Sequence, residues 1–383
     1  MRIRVAFLIR SLARGGAERQ LAELATRLDP DRFDVSVTTF YRGGAVWDEL
    51  AVANSIDLRS VDKRGRWDIV SFALRLAREL RTRKPLILHT YLVEPSVFGL
   101  IIGRLVGVPR IIWGVRASNV DFARYDRMTG IMFRVAARLS RFADVMIANS
   151  ETGRRYHITQ GYSLPRSVTI PNGIDTDRFV PSADRRTLTR GAYRFDENDI
   201  LIGLAARLDP MKGHDVFLRA AQQVLTQRAE GRFACVGSGD HAYEIKLRSL
   251  ASELSIADRV MWLPEQAQMS EIYPAFDVAC SASVYGEGFS NAIGEAMACG
   301  VPCVVTECGD SSRIVGDTGM VVPSGDPEAL AAAIVRMIDL GRAARAALGA
   351  AARRRIVDHY GVDAMVARTA ALYTDCAAPS LTV

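Results

Sequence analysis

Short apolar runs alternate with amphipathic stretches along the chain. The first run covers residues 5–9 and is followed by the turn Arg14-Gly15-Gly16 and a helical pattern over residues 17–28. Helical patterns at 69–81 and 131–142 lie between further strand-like runs, at 35–40, 86–89, 110–115, 145–148 and 168–170. Short apolar strands separated by amphipathic helices predict a parallel sheet covered on both faces.

A second series of the same kind begins after Pro171-Asn172-Gly173. Its predicted strands cover residues 200–205, 233–236, 260–263, 278–281 and 303–306, with helices at 214–225 and 291–299. The Ala/Arg-rich end, residues 327–377, predicts helices without strands, and the polar segment 179–194 predicts a linker. We therefore predict an α/β chain of two Rossmann-like, doubly wound domains facing a cleft. The predicted domains are 1–178, 179–358 and a C-terminal helix, 359–383, packing back toward the first.

Composition agrees with this organisation. At 383 residues the chain is too long for one ordinary core, and 49% hydrophobic with 24% charged residues is typical of a soluble globular protein. No apolar run approaches 18 residues, and the first one stops at Arg10 without a signal-peptide cleavage site. We expect a cytoplasmic protein at the inner face of the plasma membrane. Cys299, Cys303 and Cys308 have poor spacing for zinc and are predicted to be buried.

Charge divides unevenly between the two halves. Residues 1–180 hold 29 Lys+Arg against 18 Asp+Glu, whereas residues 181–383 hold 20 against 25. A basic first half indicates an anionic surface or substrate. Nucleic-acid signatures are absent from the sequence, so an anionic membrane or a phosphorylated acceptor fits better.

Two cations follow the predicted strand 200–205. Arg207 and Lys212 lie on a loop that Pro210 and Gly213 punctuate, and only four of the 49 basic residues are lysine. Arginine offers a bidentate fork and lysine a point charge, so together they could hold a diphosphate.

A glycine-rich turn with two acids follows the predicted strand 278–281. Ser290 has the character of a helix N-cap and Gly300 that of a helix stop. Glu287 then lies just before the helix and Glu295 in its second turn. The amides of residues 289–292 would form a helix terminus suited to phosphate, while Glu295 could bind a ribose and Glu287 a sugar hydroxyl. Gly15-Gly16 is a weaker anion-binding turn.

These motifs together resemble the retaining glycosyltransferases of family 4, which have the GT-B fold. Glu287 and Glu295 match the E-x7-E motif of that family within EGFSNAIGEAMACGVPCVVT. Arg207 and Lys212 match its G-R-L-x-x-x-K-G block, here AARLDPMKGHDVFLRA. Gly15-Gly16 matches its first glycine-rich turn, and residues 171–175 match its P-N-G-(I/V)-D signature.

The resemblance implies roles for these residues. Glu287, Arg207 and Lys212 would be catalytic, with the two cations neutralising the leaving diphosphate and Glu287 holding the transferred sugar. Glu295 would hold the ribose, and the Gly15-Gly16 loop would close on phosphate. The whole predicted donor-binding set is Gly15, Gly16, Arg207, Lys212, Glu287, Gly288, Phe289, Ser290, Asn291 and Glu295. A UDP-sugar is favoured over GDP-mannose, with a glycan or lipid-linked acceptor in cell-surface polysaccharide or lipopolysaccharide synthesis.

One departure concerns the acceptor side. Many family members carry a histidine after the fourth or fifth strand of the first domain, where this chain has Arg116 and Asn119. His89, after another strand, is a second candidate, and Asn172 completes the predicted acceptor side. Asp175-Thr-Asp177 has a metal-site form but follows a turn, so we predict no metal and no cofactor.

Basic residues at helical spacing predict contact with an anionic membrane. One stripe is Arg75, Arg78 and Arg81, a second is Arg134, Arg138 and Arg141, and Lys63, Arg64, Arg66 and Trp67 precede the first.

Three alternative functions stay open. A sugar-nucleotide epimerase of GT-B fold would need no acceptor, and a non-catalytic sugar-nucleotide-binding protein would never release nucleotide. A nicotinamide dehydrogenase would require G-x-G-x-x-G after the first strand, where this chain has Gly15-Gly16-Ala-Glu.

Overall fold

The chain divides into two compact units, which are described separately. The computed structural model describes residues 2–52, 56–65, 67–118, 127–196 and 198–378. The first unit is Met1–Gly173 with Val362–Val383, and the second is Ile174–Gly361. The chain thus changes unit a few residues from the predicted boundaries. The first change is fixed because Gln20 holds the backbone of Gly173 by two hydrogen bonds of 2.8 Å.

The first unit contains a seven-stranded parallel sheet of order β3-β2-β1-β4-β5-β6-β7. The strands are β1 (Ile3–Ile9), β2 (Phe33–Thr39), β3 (Asp57–Ser60), β4 (Ile87–Tyr91), β5 (Arg110–Val115), β6 (Val145–Ala148) and β7 (Arg166–Thr169). Its helices are α1 (Gly16–Arg27), α2 (Ala45–Val52), α3 (Val70–Arg83), α4 (Val93–Leu105), α5 (Arg127–Leu139), α6 (Glu151–Thr159) and, at the C-terminal end, α15 (Val362–Ala377).

Apolar residues on both faces of this sheet are buried. All five residues of β4 are buried, as are the last five of β1, because helices cover both faces. The C-terminal helix α15 contributes Tyr373 to one of these two cores.

The second unit contains a six-stranded parallel sheet of order β10-β9-β8-β11-β12-β13. The strands are β8 (Ile200–Ala205), β9 (Gly231–Val236), β10 (Val260–Leu263), β11 (Val278–Ser281), β12 (Cys303–Thr306) and β13 (Gly319–Val322). The helices are α7 (Ala183–Ala192), α8 (His214–Gln227), α9 (His241–Glu253), α10 (Met269–Ile272), α11 (Asn291–Ala298), α12 (Ser311–Val315), α13 (Pro327–Asp339) and α14 (Gly341–Tyr360).

The predicted linker 179–194 is wrong as a description of this segment, because it contains α7. Arg190, which is 1% exposed, pairs with Asp277 at 3.2 Å and donates to the carbonyl of Asp199 at 2.7 Å. Arg186 donates to the same carboxylate at 2.8 Å. A buried charge is tolerated only when it is paired in this way, so α7 is an integral part of the second unit.

Within the part of the chain that the structure describes, every helix is either too short or too polar to span a lipid bilayer.

Candidate functional site

Two loops meet beyond the carboxyl ends of β8 and β11 in the second unit. The amide of Val284 donates to the carbonyl of Met211 at 2.8 Å and ties the loops together. Gly213 has a φ of +64°, and a Cβ at this position would lie 2.0 Å from the carbonyl oxygen of Ala282. Only glycine allows this approach, so the loop that carries Arg207 and Lys212 is fixed against the start of the Glu287 loop.

An ion pair joins the two predicted motifs. Lys212 Nζ lies 2.5 Å from Glu287 Oε2, although the residues are 75 positions apart in the sequence. Ser283 Oγ donates to the same carboxylate oxygen at 3.0 Å. Glu287 is 7% exposed, and burying a carboxylate is costly unless it is paired and hydrogen-bonded. The structure therefore brings Lys212 and Glu287 together and holds them in one orientation.

Arg207 is more exposed than Lys212. Its side chain is 65% exposed and donates to Asp209 on the same loop at 2.9 Å. Asp209 in turn accepts from the amide of Met211 at 3.0 Å and caps the 3-10 turn Pro210–Lys212. The loop thus presents one solvent-facing guanidinium and one half-buried ammonium.

The predicted helix after Glu287 is α11. Ser290 is its N-cap residue, but its hydroxyl accepts no hydrogen bond from the helix, so the expected side-chain cap is absent. Gly300, with φ +75°, ends the helix as predicted, since its amide donates to Met297 at 2.9 Å. Asn291 is the first helical residue.

The residues just before α11 are fixed by a backbone hydrogen bond and by ring packing. The carbonyl of Gly288 accepts from the amide of Asp310 at 2.9 Å. Phe289 is 5% exposed, and its ring lies 5.4 Å from that of Tyr360, so its side chain is part of the core. The side chain of Phe289 therefore packs in the core.

Glu295 has a partner that the sequence did not indicate. Tyr273 Oη, fully buried below α11, donates to Glu295 Oε2 at 3.0 Å. Burial and the neighbouring Glu295 carboxylate raise the pKa of Tyr273 well above its ordinary value, so the phenol keeps its proton and donates. Tyr273 and Ser283 follow no motif, and no pattern in the sequence singles them out.

A third loop, Gly237-Ser238-Gly239 after β9, was also missed. The amide of Leu208 donates to the carbonyl of Ser238 at 3.0 Å, and a Cβ on Gly239 would lie 2.1 Å from the carbonyl oxygen of Leu208. The signal was present, since a Gly-x-Gly directly follows an apolar run. This loop runs beside the one that carries Arg207.

In the first unit, Gly15 is the N-cap residue of α1, with extended backbone and no side-chain cap. A Cβ on Gly15 would lie 2.1 Å from Glu18 Oε2, so the Glu18 side chain folds back over the helix start. Gly16 is the first residue of the helix, as the strand–turn–helix pattern predicts.

The predicted acceptor-side residues of the first unit collect at the ends of β4 and β5. Arg116 Nη1 donates to Asn172 Oδ1 at 3.0 Å, and its guanidinium lies 4.4 Å from the centre of the Tyr91 ring. His89 is fully buried, and its Nδ1 is hydrogen-bonded to Tyr373 Oη at 2.6 Å. Burial and the Arg116 charge hold the pKa of His89 well below its ordinary value, so the imidazole is neutral. Asn119 lies outside the described residues.

The basic stripes of the first unit differ from their predicted form. Lys63 is 8% exposed and donates to the carbonyl of Gly65 at 2.8 Å, so it faces the interior. Arg75 pairs with Asp68 and donates to the carbonyl of Val61. The other arginines of both stripes are exposed, namely Arg78, Arg81, Arg134, Arg138 and Arg141. Arg66 lies outside the described residues.

Groups that could have suggested a metal have other roles. Burial raises the pKa of the Cys299 and Cys303 thiols to about 12 and that of Cys308 to about 11, so the thiols stay protonated. Asp175 Oδ1 accepts from the amides of Asp177 and Arg178 and so forms the predicted turn. No cluster of three or more His, Cys, Asp or Glu side chains among the described residues could hold a metal ion.

Comparisons with known proteins give a consistent result. Residues 199–339 match the family described as "Glycosyl transferases group 1", and residues 14–178 match "Glycosyltransferase Family 4". A GDP-mannose-dependent alpha-(1-6)-phosphatidylinositol monomannoside mannosyltransferase of Mycolicibacterium smegmatis is 29% identical over 270 residues, covering 68% of each chain. A D-inositol 3-phosphate glycosyltransferase of Acidothermus cellulolyticus is 28% identical, covering 88% of this chain and 81% of the relative.

Solved structures show the same architecture. The Anabaena HepE protein in complex with UDP-glucose superposes with a TM-score of 0.86 at 21% identity, over 97% of this chain and all of that one. The fold of this chain is therefore that of the GT-B proteins.

Gly213→Ala should distort the loop that carries Lys212. Both the left-handed backbone and the contact with Ala282 oppose a Cβ, so we expect a loss of unfolding free energy above the roughly 1–2 kcal/mol of a left-handed residue. Gly325→Ala is the matched control, since Gly325 has φ +76° but no atom within 4 Å of its added Cβ. Denaturant unfolding measures both variants, and equal losses would contradict the proposed close packing.

Proposed function

Because the chain belongs to the group 1 glycosyltransferases of family 4, we propose that it transfers a sugar with retention from a nucleotide-diphosphate donor to a glycan or lipid-linked acceptor. The pathway we propose is the synthesis of cell-surface polysaccharide or lipopolysaccharide. The observation that carries the proposal is the Lys212–Glu287 ion pair, which joins the two family motifs directly before α11.

We assign each residue of the second unit a role by its chemistry. The Lys212 ammonium and the Arg207 guanidinium would neutralise the diphosphate as the glycosidic bond breaks. The start of α11 would support the same phosphates through its dipole. Glu287, oriented by Lys212 and Ser283, would accept hydrogen bonds from the sugar, and Glu295 from the ribose.

The proposed reaction needs no metal and no protein nucleophile. Cationic side chains would supply the charge that a metal supplies elsewhere. The acceptor hydroxyl would attack on the face from which the diphosphate departs, and its proton would pass to an oxygen of that leaving diphosphate. Glu287 is held by Lys212 and Ser283, so we assign it to positioning the sugar.

The relatives bear on the choice of substrates. The mycobacterial relative uses GDP-mannose, and the Acidothermus relative is named for D-inositol 3-phosphate. We therefore place GDP-mannose beside the UDP-sugars as a donor, and phosphate-bearing acceptors beside neutral glycans.

The experiment that tests the function is a donor and acceptor screen. Thermal shift with UDP- and GDP-sugars identifies the donor, because a ligand that binds the folded state raises its apparent stability. Release of nucleoside diphosphate is then measured with and without D-inositol 3-phosphate and lipid-linked acceptors. Release that needs an acceptor supports transfer. Acceptor-independent conversion of the donor would indicate an epimerase, and binding without any release would indicate a non-catalytic protein.

Lys212→Ala and Glu295→Ala should each lower kcat/KM at least tenfold, about 1.4 kcal/mol, because each removes a proposed contact to the donor. Lys246→Ala is the matched control, since Lys246 is an exposed lysine of the same unit. Steady-state kinetics measure the effect and thermal unfolding checks the fold. Unchanged kinetics in both site variants would refute the assignment.

Tyr273→Phe should weaken donor recognition through Glu295. The variant removes one hydrogen bond to a carboxylate, and we expect kcat/KM to fall by about three- to tenfold, or roughly 1 kcal/mol. A donor that lacks the ribose hydroxyls should show no such loss. Because the pKa of Tyr273 is raised well above its ordinary value, the effect should be the same from pH 6 to pH 9. Tyr193→Phe serves as the control, and equal losses with both donors would contradict a role at the ribose.

We also propose peripheral contact with an anionic membrane through α3. Trp67, just before α3, is 83% exposed, and Val70 and Leu74 of the helix are 74% and 66% exposed. The exposed Arg78 and Arg81 lie further along the same helix. Exposed apolar residues beside cations favour an anionic interface, where each Arg contributes about 1 kcal/mol.

Replacing Trp67 and Leu74 together by serine should weaken binding to vesicles that contain phosphatidylglycerol at least fivefold, because the variant loses the apolar contact. Leu188→Ser is the matched control, since Leu188 is 73% exposed but lies in the second unit. Co-sedimentation measures binding. If the Trp67/Leu74 double variant bound the vesicles as tightly as the wild type, α3 would be excluded as the membrane contact.

A further inference from the structure

Arg116 is a half-buried cation of the first unit for which the described residues provide no carboxylate partner. Of the five N–H groups of a guanidinium, one donates to Asn172 Oδ1 at 3.0 Å. Its Nε is buried and has no hydrogen-bond partner among the described residues. No carboxylate of the described residues pairs with it, and its charge cannot be removed by deprotonation.

Other half-buried arginines of the same unit are neutralised. Arg75 lies 2.5 Å from Asp68, and Arg154 donates to Glu151 at 2.8 Å. Arg83 has both Asp57 and Glu79. Leaving a partly buried charge unpaired costs free energy, and among the described residues Arg116 differs from these arginines in having no acid beside it.

The surroundings of Arg116 hold it in place. Its guanidinium stacks on Tyr91, whose ring lies 4.7 Å from that of His89. His89 is anchored by Tyr373, and its Nε2 is a second buried atom for which the described part of the chain offers no hydrogen-bond partner. Gly114 borders this atom, since a Cβ there would lie 3.1 Å from it. A fixed, unpaired guanidinium beside polar groups at the carboxyl end of parallel strands is arranged to receive a ligand.

We propose that Arg116 binds an anionic group of the acceptor, a phosphate monoester or diester, at the carboxyl ends of β4 and β5. The inference rests on the proposed glycosyl transfer and extends it by naming the acceptor class. Arginine suits this role because its planar fork matches the oxygens of phosphate. His89 is neutral and stays so, which leaves Arg116 as the charge that receives the anion at this position.

The test uses the full chain with the donor site saturated by the nucleoside diphosphate that it binds, so that phosphate cannot enter there. Inorganic phosphate and glycerol 3-phosphate are then titrated at constant ionic strength by calorimetry. Arg116→Gln should weaken both at least tenfold, and Arg116→Lys should weaken them less, because lysine keeps the charge but loses the fork. Arg155→Gln is the control, since Arg155 is 68% exposed and pairs with Glu151.

Further measurements distinguish a lipid headgroup from a soluble phosphate ester. They also distinguish failure of the anion site from failure of the proposed glycosyl transfer. If Arg116→Gln also loses binding to phosphatidylglycerol vesicles, the ligand is a lipid headgroup. If the variant loses binding only to the soluble phosphate esters, the ligand is a soluble acceptor. Both results support an anion site at Arg116. Unchanged nucleoside diphosphate affinity shows that the variant is folded. Equal phosphate affinity in the wild type and Arg116→Gln overturns the inference while leaving the proposed transfer intact. Failure of the wild type to bind any nucleoside diphosphate would count against the transfer itself.

Discussion

The burial of one carboxylate sets the arrangement of the second unit. Glu287 is 7% exposed, and Lys212 and Ser283 both contact its Oε2 atom, which offsets the cost of burying a carboxylate. Removing either the acid or its cation would leave an uncompensated charge, so the loops after β8 and β11 must fold together. The glycine at position 213 makes that contact sterically possible, and Tyr273 extends the same logic one turn along α11 by fixing Glu295. The preorganised groups of the site therefore follow from the demands of a single buried charge.

The first unit follows the opposite principle at the equivalent edge of its sheet. Its half-buried cation, Arg116, rests on an aromatic face and an amide oxygen and has no acid among the described residues. A paired charge is a stable element of the fold, whereas an unpaired one favours binding an external anion. The structure gives Asn172 of the P-N-G signature a local role, because its side-chain oxygen accepts a hydrogen bond from this guanidinium. Gly173 also has a local role, because a Cβ at this position would lie 2.6 Å from Val362 Cα on the C-terminal helix.

Much of the fold could be predicted because the strands are buried on both faces. The predicted bounds of β5, β6, β8, β10, β11 and β12 coincide with the observed ones, since each is a short apolar run with clear ends. Strands β3 and β13 were missed. Asp57–Ser60 has no apolar run to find, and Gly319–Val322 begins with a glycine and has only three apolar residues. Helix α7 was taken for a linker because what holds it is Asp277, a partner far away in the sequence.

The candidate site divides in the same way. Glycines and charges that follow strands are visible in the sequence, and the structure brings two of these charged residues, Lys212 and Glu287, together. Side chains that act through a neighbour, such as Tyr273 and Ser283, leave no local pattern, because their function depends on contacts between distant segments. The buried position of Lys63 has the same origin, since its ammonium is held by a carbonyl and lies near the rings of Tyr41 and Phe72. Residue type therefore predicts which chemistry is present, while burial decides whether a charge serves the fold or a ligand.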